Sequence, residues 1–312
     1  MSANAYMEEK DNDEHEDFND YILEELPNSY KLTMHVAQRF YGGLFGSKGT
    51  TKKRIESETW TNISVPSNKD SELNLVEDVS INGKTRSAVL AARRKINLLI
   101  FSLRKRTRPT HFTCVPLNYG EVRERYCDLK KEILSLNLPG IEENLFQHEA
   151  CLHINLFICV LLDNTERTKG GEILQSCQTL LEGLRTPFEI GVSCLEIKND
   201  NPAAVRVLYA RVESPELQKF ADLALKQFLR SGLGYDDYER DAVKLHMTIM
   251  SRGYRRKLDA KAASSFDARE ILKRFGDYNF GKVTCSEVHL CAMNAGIVDK
   301  GTFYEITASL KF

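Results

Sequence analysis

A chain of 312 residues, 42% hydrophobic and 28% charged, has room for two domains and the make-up of an ordinary globular protein. No apolar run approaches the length of a bilayer span, and the acidic N-terminus is unlike a secretory or mitochondrial signal, so no membrane partner is expected and the chain reads as intracellular. The eight cysteines include no Cys-x-x-Cys pair and fall mostly in apolar stretches, which points to reduced, buried thiols and neither to a disulfide frame nor to a zinc site.

The formal net charge of −1 hides an asymmetry. Residues 1–26 hold ten acidic side chains against Lys10, whereas residues 29–106 hold fifteen Lys and Arg against six Asp and Glu. Residues 1–28 therefore read as an acidic disordered tail with a partner-binding turn around Phe18, Tyr21, Ile22 and Leu26, and the basic segment after it as a polyanion footprint.

In chain order, a strand is expected at Tyr30 to Ala37, then a short helix and Gly46-Ser47-Lys48-Gly49. A helix follows from Thr50 with Lys52, Lys53 and Arg54. Strands come next at Asn62 to Pro66 and Val76 to Ile81, then a turn at Asn82-Gly83 and an amphipathic helix from Thr85 to Arg104. This β-α-α-β-β-α order with Gly-x-x-Gly between its first two helices resembles a type I KH domain, spanning 29–106. The resemblance implies that single-stranded nucleic acid or RNA lies against Gly46, Ser47, Lys48 and Gly49, with Lys52 and Lys53 nearby: glycine lets the nucleic acid backbone approach, and amides at a helix start face phosphate. Trp60 stands where many such domains have glycine and is expected to pack against the helices. The basic run Arg104 to Arg108 reads as a solvated helix end, a nuclear address or an extension of the same surface.

From residue 107 to 312 the elements repeat. A strand at Thr110 to Leu117, a helix at Glu121 to Leu136, the strand Cys151 to Phe157, a helix at Gly171 to Leu184 and a strand at Phe188 to Ile197 make one half. Val205 to Val212, Pro215 to Arg230, Lys244 to Met250, Asp267 to Phe275 and Lys282 to Ala292 make the other, before a final strand at Thr302 to Phe312. The middle strands carry Leu152-His153-Ile154-Asn155 and Leu245-His246-Met247-Thr248. Strand alternation puts His153 with Asn155 on one face, and His246 with Thr248 on one face.

Two imidazoles across one cleft suit phosphodiester chemistry: one takes a proton from the attacking hydroxyl or water, and the other delivers one to the leaving oxygen. Asn155 and Thr248 would donate to nonbridging oxygens. Neither a metal nor a cofactor is required. The duplicated lobes and paired motifs resemble the 2H phosphoesterase superfamily, including LigT and AKAP18-like proteins, so the fold class expected is α+β: a KH domain followed by a bilobal, duplicated domain with antiparallel sheets. The resemblance implies RNA-directed phosphodiester chemistry on RNA ends or 2′,3′-cyclic phosphates, with His153 and His246 as acid and base in unassigned order. A KH domain followed by such a domain resembles the subunit family of a nuclear coactivator complex, which implies a nuclear location, with the cytoplasm open, and partnership with a helicase-containing coactivator complex.

Asn155 departs from the Thr or Ser of the family pattern, which favours an alternative: a noncatalytic RNA-binding adaptor of a transcription-coactivator or alkylation-repair complex, whose cleft only binds. A small-nucleotide cyclic phosphodiesterase is a third reading, opposed by the KH domain. Arg252, Tyr254 and Arg255 follow the second motif as candidate substrate contacts. Tyr209 can face cleft or core. His111, on the first strand of its half, is expected to be structural or flanking, and His289 to be structural.

Overall fold

The computed structural model describes residues 21–66, 78–235, 242–254, 264–293 and 303–312. The chain divides into two compact units, 1–103 and 104–312.

The first unit is a four-stranded antiparallel sheet with three helices. Its strands are β1 (Tyr21–Leu26), β2 (Ser29–Met34), β3 (Thr61–Ser64) and β4 (Val79–Gly83), in the order β1-β2-β4-β3. The helices are α1 (Tyr41–Phe45), α2 (Thr50–Thr59) and α3 (Arg86–Arg104). Leu32, Met34, Ile63, Val79 and Ile81 bury one face of the sheet. Val89, Ala92 and Ile96, spaced at helical period along α3, are also buried. Part of the segment expected to be an acidic disordered tail is a strand: Tyr21 to Leu26 form β1 and pair in full register with Met34 to Ser29, so ladder hydrogen bonds outweigh local acidity there. Phe18 lies outside the described residues. Asn82 and Gly83 belong to β4, and the chain turns after them, where the Thr85 hydroxyl caps α3 by accepting from the Ala88 amide at 3.2 Å.

In the second unit β5 (His111–Pro116), α4 (Gly120–Ser135), β6 (His153–Cys159), α5 (Asn164–Ser176) and β7 (Phe188–Ile197) form the first repeat. The second holds β8 (Val207–Glu213), α6 (Pro215–Arg230), the short β9 (Gly234–Tyr235), β10 (His246–Ser251), α7 (Arg269–Phe275) and β11 (Asn279–Cys285). β12 (Glu287–Ala292) and β13 (Ile306–Lys311) follow. All pairings are antiparallel in a nine-stranded sheet of order β11-β7-β8-β10-β6-β5-β12-β13, with β9 on β6.

The two histidine strands are the central neighbours, and around them the lobes are built by exchange. β7, from the first repeat, joins β8, while β12 joins β5. β11 and β12 lie in different lobes yet are separated by Ser286 alone, so the sheet curls back on itself. The segment Lys282 to Ala292, expected as one strand, is divided at Ser286 between β11 and β12. α5 begins seven residues before the expected Gly171, with Asp163 capping the Glu166 amide at 2.8 Å. Gly170 is a packing position within it, since a Cβ there would come within 3.0 Å of the Leu161 side chain and 3.3 Å of Leu290.

Arg104, read as part of a solvated helix end, is buried. It makes a 2.5 Å ion pair with Glu166, whose other oxygen accepts from the Leu162 amide at 2.7 Å. A buried guanidinium needs such a partner, since an unpaired charge there is costly. None of the eight cysteines is in a disulfide, and five are fully buried.

Candidate active site and nucleic-acid interface

β6 and β10 touch through one antiparallel register pair, Ile154 opposite Met247. Both side chains are fully buried on the helix-covered face. One step along the strands in either direction, the same register sets His246 opposite Asn155 and Thr248 opposite His153, all four half-buried on the other face. The strand period and one shared register thus bring the four expected residues into a square, each histidine facing the polar residue of the other motif.

The imidazoles are anchored alike. His153 Nδ1 lies 2.8 Å from the Cys151 carbonyl and His246 Nδ1 lies 2.7 Å from the Lys244 carbonyl. A carbonyl only accepts, so Nδ1 carries the proton in both rings and Nε2 is the nitrogen available for chemistry.

Their surroundings differ. His153 packs against Phe112 at 5.1 Å and edge-on to Tyr304 at 5.2 Å, with those two rings themselves 4.8 Å apart. Burial lowers the His153 pKa to about 4; the Cys151 carbonyl pulls it back upward and the neighbouring His246 adds to the fall. The Tyr304 hydroxyl accepts from Gln147 Nε2 at 3.2 Å. Tyr254 belongs to this surround: burial raises its phenol pKa, and Tyr304 and Cys151 push the same way.

His246 instead meets Tyr209 edge-on at 5.2 Å. The Tyr209 hydroxyl donates to Glu196 Oε2 at 2.8 Å and accepts from Lys244 Nζ at 2.6 Å. Tyr209 therefore faces the cleft, as its register opposite Thr248 requires. Asn155 departs from its counterpart in a second way. Its Oδ1 is buried and has no hydrogen-bond partner.

Phe112, Tyr304 and Glu196 are site residues that sequence reasoning missed. Phe112 was the reachable one, sitting beside His111 on a strand next to β6. Cys114 stands opposite Asn155 in β5 as Tyr209 stands opposite Thr248 in β8. Tyr304 precedes β13 far along the chain and carries no local signal.

Arg252 is half-buried and donates to the Ser264 carbonyl at 3.3 Å. Arg255 lies outside the described residues. His111 is buried, bonded to Thr110 Oγ1 at 2.9 Å, and burial lowers its pKa to about 4. His289 is buried, with Glu287 Oε2 3.2 Å from its Nε2.

In the first unit, Gly46 and Gly49 adopt φ of 74° and 78°, and a Cβ at Gly46 would come within 2.2 Å of Thr51 Oγ1. Glycine is thus required at the turn into α2. Ser47, Lys48 and Lys53 are exposed beside it. Lys52 is drawn aside by a 2.8 Å ion pair with Glu56, whose carboxylate also accepts from the Ile63 amide. Trp60 does not pack against the helices: it is 87% exposed and caps α2 at φ 55°, the conformation that glycine favours.

Among the described residues no group of His, Cys, Asp and Glu could hold a metal ion, and no helix is long and apolar enough to cross a membrane.

Residues 31–98 match the KH domain family, and residues 109–312 match the AKAP7 2'5' RNA ligase-like domain family. The chain is 31% identical over 323 residues to mouse activating signal cointegrator 1 complex subunit 1, covering 93% of this chain and 88% of that protein. Solved structures similar to it include TT0787 of Thermus thermophilus (16% identity, TM-score 0.45, 65% of this chain and 97% of that one) and E. coli LigT (16%, 0.39, 65% and 97%).

Proposed function

Because the chain belongs to the family of activating signal cointegrator 1 complex subunit 1, with a KH domain and a 2H phosphoesterase-like domain, we propose that it is an RNA-binding phosphodiesterase acting on RNA ends or 2′,3′-cyclic phosphates. The observation that carries this reading is the β6–β10 register, with both Nδ1 protons spent on backbone carbonyls.

We read their order from the asymmetry of the two rings. His153, kept neutral by its aromatic surround, accepts the proton of the attacking water at Nε2. His246 donates a proton from Nε2 to the leaving ribose oxygen, while Thr248 and Asn155 hydrogen-bond the nonbridging oxygens as charge accumulates on them. Attack opens the cyclic ester: one P–O bond forms to water and one breaks to the ribose. We propose the nucleus as its place, within a helicase-containing coactivator or alkylation-repair assembly; of this the mouse relative's name supports membership of a complex.

Asn155 supports the second reading, a cleft that binds without turnover, because its buried Oδ1 is unpartnered where its counterpart Thr248 offers a hydroxyl. An end-labelled RNA with a 2′,3′-cyclic phosphate decides between them. Conversion to a linear phosphate by the full chain, lost in His153→Ala and His246→Ala, supports catalysis. Retained binding with no product in any variant favours the adaptor.

A further inference from the structure

Trp60 is the chain's one tryptophan, and its placement is costly twice over. It leaves an indole 87% exposed and holds a non-glycine residue at φ 55°, ψ 41°. Neither feature stabilises the fold, and a strained, exposed aromatic at a helix end points to use in binding.

What it binds is indicated by its neighbours along α2. The helical period sets Gly49, Lys53 and Trp60 on nearly one line, since positions four and eleven residues on return to within about 40° and 20° of the start. A Cβ at Gly49 would come within 3.4 Å of the Phe45 ring, so Phe45 stands over the head of that line, and it is 48% exposed. Lys53 and Ser57 are exposed between the two aromatics, with Lys48 and Arg54 exposed alongside. The acidic residues of the helix are occupied elsewhere: Glu56 holds Lys52, and Glu58 holds Lys95 at 2.7 Å. An aromatic, a run of cations and a second aromatic, spread over roughly 16 Å of helix, is the arrangement that single-stranded nucleic acid favours: bases stack at the ends and phosphates meet the cations between.

We infer that single-stranded RNA held at the Gly-x-x-Gly turn continues along the exposed face of α2 and stacks a base on Trp60, with Phe45 and Lys53 contacting it on the way. This rests on the KH reading and extends it from the loop to the far end of the helix.

The lone tryptophan makes the test direct. The full chain is titrated with a single-stranded RNA of about 12 nucleotides, a length that spans such a site. Binding is followed by anisotropy of a label on the RNA and, in parallel, by intrinsic tryptophan emission. The inference expects emission to be quenched along the same isotherm, and Trp60→Ala to weaken binding about tenfold, the scale of one lost stacking contact. Trp60→Gly is expected to raise Tm, by relieving the left-handed conformation, while lowering affinity as Trp60→Ala does. A purely structural tryptophan would not give that combination. RNA binding that is lost in Gly49→Asp, but leaves emission and the Trp60→Ala affinity unchanged, overturns the track and spares the KH reading. Failure of the wild-type chain to bind the RNA overturns both.

Discussion

The two halves of the candidate active site share a backbone plan and differ in what surrounds it. Each histidine opens its strand and donates Nδ1–H to the carbonyl two residues earlier, and each stands opposite the polar residue of the other motif. Yet His153 is walled by Phe112 and Tyr304, whereas His246 leans on Tyr209, which is fixed by Glu196 and Lys244. Duplication supplies two similar nitrogens, and divergence of the flanking strands gives them different surroundings, on which the proposed division into base and acid rests. A symmetric pair would have to choose its base and acid anew at each encounter.

The largest expected effect is on chemistry. His153→Ala and His246→Ala should each lower turnover of a 2′,3′-cyclic phosphate by about 10²–10⁴, read as initial rates on labelled RNA. Thr248→Ala should cost on the order of 10², and Asn155→Ala distinctly less; equal losses would erase the difference between the halves.

Next in size is the seam that joins them. Ile154→Ala removes a fully buried side chain from the single register pair linking the lobes and should cost about 2–5 kcal/mol in urea denaturation.

The pH response follows from burial. An unfolded chain protonates histidine near 6.5, but folded His153 takes its proton only near 4. Between those values the unfolded state binds more protons, so stability, complete above 6.5, falls as pH falls toward 4. His111, whose pKa burial also lowers to about 4, acts with the same sign. Denaturation midpoints across that window should therefore decline, and His153→Gln should make the decline shallower.

Smaller still, Asn155→Ala should leave stability unchanged or raise it by about 1 kcal/mol, because it removes a buried oxygen with no partner. Tyr209→Phe, which keeps the ring against His246 and releases Lys244 and Glu196, should change turnover only a few-fold.

Much of this was legible in the sequence because it is periodic. Strand alternation identified the face shared by His153 and Asn155 and that shared by His246 and Thr248, and the repeat identified the two strands as counterparts. The glycine turn before α2 was legible because only glycine tolerates the close approach of Thr51 at Gly46. What escaped is long-range or locally irregular. Phe112 meets His153 from a neighbouring strand, and Tyr304 reaches it from some 150 residues downstream. The exchange of β7 and β12 between lobes leaves no mark on either strand. At Tyr21 to Leu26 composition misled, because ladder pairing with β2 is invisible to a count of charges. Trp60 misled in the opposite direction, since a lone tryptophan suggests a core and this one is exposed.

The central claim is that both imidazoles address one phosphate, His153 as the neutral base. It is tested most directly by NMR titration of the two histidine side chains in the full chain, with and without adenosine 2′,3′-cyclic monophosphate. The account predicts that His153 titrates near 4, that its Nδ1 carries the proton at neutral pH, and that both histidines shift on a single isotherm as the nucleotide is added. A His153 that titrates near 6.5, or a nucleotide that perturbs one ring and leaves the other unmoved, would contradict it.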